Sequence, residues 1–169
     1  NAKPQEEIER DLQDGAIDVA FTFAPISAED ITCTLLTEEE ILLAVPETHP
    51  LAKKGAVDLA HIADEPYINL IDDHDFSDLS KSLCKQAGFT PKIRFESPTA
   101  DFIASLVSEG FGCALFPESW KSTVKLTGIS FLHLTSPHCR RFIYLSSHKY
   151  NHQSLASIQF IDFVSRFFS

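Results

Sequence analysis

Between residues 66 and 117 the chain alternates short apolar runs with amphipathic segments, and this alternation leaves it few ways to fold. PYINLI (66–71), KIRFES (92–97) and GCALFP (112–117) have the length and composition of strands. Between them, FSDLSKSLCKQAG (76–88) spaces Phe76, Leu79, Leu83 and Ala87 at helical intervals. TADFIASLVSEG (99–110) does the same with Phe102, Ile103, Leu106 and Val107. Gly88 and Gly110 stand where those helices should end. Strand, helix, strand, helix, strand with short loops implies a parallel sheet with right-handed crossovers, hence an α/β lobe.

The flanking segments read as a second lobe. QEEIERDLQD (5–14) puts Ile8 and Leu12 on one face of a polar helix, and AIDVAFTF alternates with period two, as a strand does. Residues 35–46 form another strand, whose run Ile41–Val45 is stopped by Pro46 because proline cannot donate to a ladder. Pro50 then restricts His49 to an extended conformation. The polar, proline-flanked stretch VPETHPLAKKGAVDLAHIADEP therefore reads as a connection between lobes. ISFLHL (129–134) and RFIYLSS (141–147) add strands, and SLASIQFIDFVSRFF (154–168) a closing helix. The expected division is residues 1–59 with 136–169 as one lobe and 60–135 as the other. Two such lobes commonly hold a small ligand between them.

Composition narrows the function classes. With 169 residues, 44% of them hydrophobic, the chain can build one sizeable core or two small lobes. It contains no apolar run of the roughly 18 residues that a membrane helix needs. The start, NAKPQEEIERD, is polar and acidic, unlike a secretory or transit peptide, and its lack of an initiator Met suggests a fragment or processed chain. Fourteen basic against 24 acidic residues give a net charge of -10, which repels phosphate backbones, so this piece alone should bind nucleic acid poorly. Cys33, Cys84, Cys113 and Cys139 are far apart without a C-x-x-C pair and read as reduced thiols.

Five motifs in order carry a resemblance: GAIDVAFTF (15–23), EEILLAVPETHPLA (39–52), LAHIADEPYINL (59–70), KQAGFTPKIRFES (85–97) and LVSEGFGCALFPES (106–119). Together they resemble the effector-binding domain of LysR-type transcriptional regulators, with HPLA intact at His49–Ala52, and the likeness runs over nearly the whole chain. The resemblance implies an α/β, two-lobed, type-2 periplasmic-binding-protein-like fold that binds a small-molecule effector in the cytoplasm and controls a homo-oligomeric, DNA-bound regulator. It places residue 1 near the second helix of the first lobe, so that lobe is expected to be incomplete. The winged helix-turn-helix that touches DNA would lie outside this chain. Matching family positions nominate Gln5, Phe23, Ile71 and Phe76 as effector-facing, with Pro117 at the end of its strand. Some relatives carry a basic residue at the position of Phe23 that binds an effector carboxylate, so a simple dicarboxylate is disfavoured here. A dimer contact is implied for Ile8, Leu12, Phe102 and Val107, although the same side chains could face their own core.

The residues themselves offer two polar constellations. LIDDHDFSD (70–78) crowds Asp72, Asp73, His74, Asp75 and Asp78 into a strand-to-helix loop. They could form an acidic wall for a cationic or hydroxyl-rich effector, or for a hard metal ion. They could equally be a solvated helix start with an aspartate cap. SPTADF (97–102) sets Ser97 and Thr99 at another helix start, where either hydroxyl can cap or help bind a carboxylate or phosphate. GFGCALFPE lacks the G-x-x-x-x-G-K-[ST] pattern and precedes a strand, so Gly110 and Gly112 read as backbone devices. Seven histidines are scattered, and neither H-E-x-x-H nor G-x-S-x-G occurs. No catalytic set, cofactor or committed metal site emerges. The competing classes are a small cytosolic α/β enzyme and a free solute-binding protein using the same cleft.

Overall fold

The computed structural model describes residues 3–71, 74–123, 127–150 and 154–168, with the side chains of residues 74, 75, 122 and 123 outside the description. The element order is α1 (Gln5–Gln13), β1 (Val19–Thr22), β2 (Ile31–Pro46), β3 (Ala56–Asp58), a 3-10 turn (Leu59–Ile62), β4 (Pro66–Leu70) and α2 (His74–Gln86). Then follow β5 (Lys92–Ser97), α3 (Ala100–Ser108), β6 (Ala114–Pro117), the short α4 (Trp120–Thr123), β7 (Ile129–Ser136), β8 (Arg140–His148) and α5 (Leu155–Phe167). The chain divides into two compact units: Asn1–Glu38 with Arg141–Ser169, and Glu39–Arg140.

In the first unit, β1 pairs antiparallel with β8, Val19 opposite Ser147 and Thr22 opposite Tyr144. Leu12 of α1 buries completely against Ile26 and Ile31, because its helical spacing from Ile8 gives α1 one apolar stripe. A second cluster joins Leu36, Leu145 and Val164. Ser154 caps α5 by accepting the Ser157 N–H at 3.1 Å, and the Ser157 hydroxyl donates to Asp18, tying the helix start to the residue before β1.

The second unit shows why Ile41–Val45 is an unbroken apolar run. This half of β2 lies between two antiparallel partners, with Ile41–Ala44 opposite Pro117–Ala114 of β6 and Leu42–Pro46 opposite His133–Ile129 of β7. All five side chains are inaccessible to solvent, and each contributes about 1 to 3 kcal/mol of hydrophobic stabilisation, alanine least. The strand ends at Pro46, as its missing N–H requires, and the ladder is continued by Glu47 N–H donating to the Gly128 carbonyl at 2.9 Å. On another side of this unit β4 and β5 pair in parallel, covered by α2 and α3.

Two expectations change. The stretch after Pro46 is no bare connection: Leu51, Val57, Leu59 and Ile62 are buried in the core of the second unit, and β3 pairs in parallel with β7. Residues 39–59 thus belong with 60–135, and the division falls at Glu38/Glu39 and not at residue 59. The His49 imidazole, inside the HPLA motif, accepts the Leu51 N–H at 3.2 Å and so closes the turn that leads into this buried stretch. β6, expected as the third parallel strand, does meet β4 in parallel, but over the single Tyr67–Cys113 bridge just before it, and spends its ladder antiparallel on β2. Apolar runs with both faces buried look alike whichever direction their partner runs, so sequence could not distinguish the two.

Candidate functional site

The parallel pair β4–β5 ends with Asn69 opposite Glu96 and Leu70 opposite Ser97, and the Ile71 N–H donates to the Ser97 carbonyl at 3.1 Å. α2 and α3 both start at this carboxyl edge, so two helix N-termini converge on it, the usual binding edge of open α/β sheets. The buried Asn69 fixes the edge. Its amide Nδ2 donates to Ser77 Oγ on α2 at 3.1 Å and to Glu96 Oε1 on β5 at 3.2 Å, and the Ser77 hydroxyl donates back to Asn69 Oδ1 at 3.5 Å. One side chain thereby locks a helix start to two strands.

At the α3 entry, Ser97 is buried and its hydroxyl accepts the Thr99 N–H at 3.2 Å. Thr99 occupies the N-cap position in an extended conformation, yet its side chain makes no capping bond. Its hydroxyl, exposed at the rim, is therefore not committed to the helix, and the first-turn N–H groups keep their partial positive charge without a side-chain cap. Asp101 in the first turn complements that charge from within the helix.

The nominated residues sort as follows. Ile71 is exposed at the same edge, beside Ser97 and Thr99. Phe76 lies in the core, its ring 5.8 Å from that of Trp120, and Pro117 is buried in the β2–β6 ladder. Both side chains are buried in the second unit. Asp72 and Asp73 lie outside the described residues, as do the side chains of His74 and Asp75; Asp78 is exposed on α2. Gln5 and Phe23 belong to the first unit and are half-buried there. The Arg141 guanidinium stacks over the Phe23 ring at 4.5 Å, a cation–π contact that sequence reading missed because the two residues are 118 positions apart (141 less 23). Of the expected dimer residues, Leu12 and Val107 are fully buried in their own units, whereas Ile8 is half-buried and Phe102 well exposed.

Three of the thiols are held above their ordinary range. Burial pushes Cys84 up to about 11 and Cys113 up to about 12, and it also raises Cys139. Cys113 Sγ donates to the Pro66 carbonyl at 3.4 Å, so it is held protonated inside the β4–β6 junction. Among the described residues no cluster of His, Cys, Asp and Glu is arranged to hold a metal ion, and no helix is long and apolar enough to cross a membrane.

The LysR substrate binding domain family matches residues 2–169 of this chain. The transcriptional dual regulator GltC of Bacillus subtilis (strain 168) is 30% identical over 145 residues, covering 86% of this chain and 48% of that protein. The DNA-binding transcriptional dual regulator OxyR of Escherichia coli (strain K12) is 28% identical over 133 residues, covering 78% of this chain and 44% of that one. The chain thus spans about half the length of these curated relatives. Among solved structures, the effector binding domain of QuiR in complex with shikimate superposes with a TM-score of 0.78 at 31% identity, over 98% of this chain and 78% of that one.

Proposed function

The chain belongs to the LysR substrate-binding-domain family, and from that premise we propose that it senses a small-molecule effector on behalf of a transcription regulator, at the carboxyl edge of β4 and β5. The family match over residues 2–169 carries this reading; the relatives it is supported by are regulators. Thr99 presents the uncommitted hydroxyl, the α3 start supplies N–H donors, and Ile71 gives an apolar rest. Such an edge suits a small hydroxylated or carboxylated molecule, the class to which the shikimate bound by QuiR belongs. The domain binds without turnover. Its charge of -10 leaves contact with DNA to a helix-turn-helix region of the regulator, working in the cytoplasm as a homo-oligomer. Ile8 and Phe102 are the side chains available for that oligomer contact, since Leu12 and Val107 fill cores.

The test is a thermal-shift screen against small carboxylic and hydroxylated acids, shikimate among them. A ligand that binds only the native state adds about 2.7 kcal/mol at ~100 times its dissociation constant. Thr99→Ala should leave the unliganded melting temperature unchanged and weaken the hit about tenfold, the loss of one hydrogen bond. A hit that is consumed on incubation would make the protein an enzyme. Equal affinity of the variant and the parent would move the site away from this edge.

A further inference from the structure

Sequence reading passed over Glu96, yet the structure treats it unlike an ordinary exposed carboxylate. It stands on β5 one residue before Ser97, at the carboxyl edge, and is open to solvent. Its Oε1 nevertheless accepts a 3.2 Å hydrogen bond from Asn69 Nδ2, and Asn69 is only 1% exposed. The same nitrogen donates to Ser77 Oγ at 3.1 Å, so the carboxylate oxygen lies at most 6.3 Å (3.2 plus 3.1) from a hydroxyl on the fourth residue of α2. A buried amide that spends its donors on an exposed side chain fixes where that side chain points, and the start of α2 favours the negative charge held beside it. Every residue of this device lies within the second unit, Glu39–Arg140.

The segments around Glu96 supply no permanent cation to match it. No Lys or Arg occurs between residues 71 and 80 or between residues 95 and 120, the stretches that carry the starts of α2 and α3. On β5 itself, Arg94 sets its guanidinium over the Phe95 ring at 5.9 Å, and Lys92 Nζ binds Asp64 Oδ1 at 2.6 Å. Asp78 on α2 and Asp101 on α3 are exposed and add negative charge. A purely anionic ligand would meet like charge here, whereas α3 still offers first-turn N–H groups without a side-chain cap, beside the Thr99 hydroxyl.

We propose that Glu96 sets the class of ligand at this edge: a small zwitterion of the amino-acid type, its ammonium group on the Glu96 carboxylate and its own carboxylate on Thr99 and the α3 N–H donors. The proposal rests on the effector reading above and narrows it. From Glu96 to Thr99 is three residues, at most ~10 Å of extended chain, a span that a small molecule bridges. An ammonium group binds a carboxylate through a charge-assisted hydrogen bond, roughly twice as strong as the bond a neutral hydroxyl makes. Replacing the ammonium by a hydroxyl should therefore weaken binding about tenfold or more.

Matched pairs of ligands test it: amino acids against the α-hydroxy acids of the same skeleton, such as alanine with lactate and aspartate with malate, in thermal-shift titrations of the whole chain. At least one amino acid should bind about tenfold or more tightly than its hydroxy acid. Glu96→Gln keeps an oxygen for Asn69 but removes the charge, and should bring that pair within about threefold of each other. Circular dichroism checks the variant for its fold; if it unfolds, the matched pairs on the parent chain still decide. Hydroxy acids that bind as well as amino acids, while Thr99→Ala still weakens them, overturn the zwitterion and leave the edge as the site. A preference that survives Glu96→Gln overturns the role of Glu96, and no shift with any amino acid overturns the proposal outright. Hits indifferent to both Thr99→Ala and Glu96→Gln overturn the effector edge itself.

Discussion

A methyl group on Gly112 should be among the costliest single substitutions in the second unit. A Cβ there would sit 2.5 Å from the Pro66 carbonyl oxygen and 3.0 Å from its carbon. Ordinary contact begins near 3.4 Å, so the two segments must part by 0.9 Å (3.4 less 2.5). The obstacle is backbone, and it is the oxygen that accepts the Cys113 N–H at 2.9 Å while the Cys113 carbonyl accepts the Ile68 N–H at 2.9 Å. Parting the strands by that amount stretches both bonds past useful range, at about 1 kcal/mol each. The overpacking itself adds about 1 to 3 kcal/mol. Gly112→Ala should therefore cost about 3 to 5 kcal/mol, which at roughly 2 to 4 °C per kcal/mol lowers the melting temperature by about 10 °C. The backbone angle adds little beside this, since φ of 159° lies at the very edge of the range that L side chains rarely adopt. Urea unfolding followed by Trp120, the single tryptophan, reads this unit directly because its ring packs on Phe76 and Phe116. Gly55→Ala is the control: its φ is +69°, but a Cβ there meets nothing within 4 Å, so only left-handed backbone strain of about 1 kcal/mol is added. Equal destabilisation by the two alanines would refute the close-approach argument.

Phe76→Ala should act on stability and only secondarily on effector affinity, because Phe76 is buried against Trp120; a loss of about 3 to 5 kcal/mol is expected in the same urea assay, and a variant as stable as the parent would return Phe76 to the ligand-facing set. Stability should also decline at high pH. Cys84 and Cys113 stay protonated in the fold up to about 11 and about 12, whereas exposed thiols ionise near 9.0, so above that value the unfolded chain holds fewer protons. Their contribution is complete below about pH 9 and is lost as pH rises through the folded values. Urea midpoints measured from neutral to alkaline pH should fall accordingly, and Cys113→Ala should flatten the slope; an unchanged slope would show that other groups drive the decline.

Much of the architecture was legible in the sequence because periodicity reports directly on which faces are covered. The strand at 92–97 and the helices around 76–88, 99–110 and 154–168 were marked by apolar spacing, and the observed boundaries differ by a residue or two. β3, the 3-10 turn and α4 escaped because three or four residues are too few to show a period. At the site, Ser97 and Thr99 were recognised as a helix entry, but the division of labour between them was not. Which hydroxyl takes the N–H depends on backbone angles at Thr99, which composition does not encode.

What the sequence by itself determined was local preference and family. It marked where the longer strands and helices lie, that Ile41–Val45 must be covered on both faces, that Pro46 must end its strand, and that the ordered motifs are those of a LysR-type domain. Tertiary structure decided partnership. It sent β6 antiparallel onto β2, drew Leu51, Val57, Leu59 and Ile62 into the core, and enclosed Leu12, Phe76 and Val107. It also brought Asn69 to Ser77 and Glu96, and Arg141 to Phe23. The reason is physical: an apolar stripe requires burial of its surface but is indifferent to which segment supplies it. That choice is made by strand register, hydrogen-bond direction and volume matching among residues far apart in the chain.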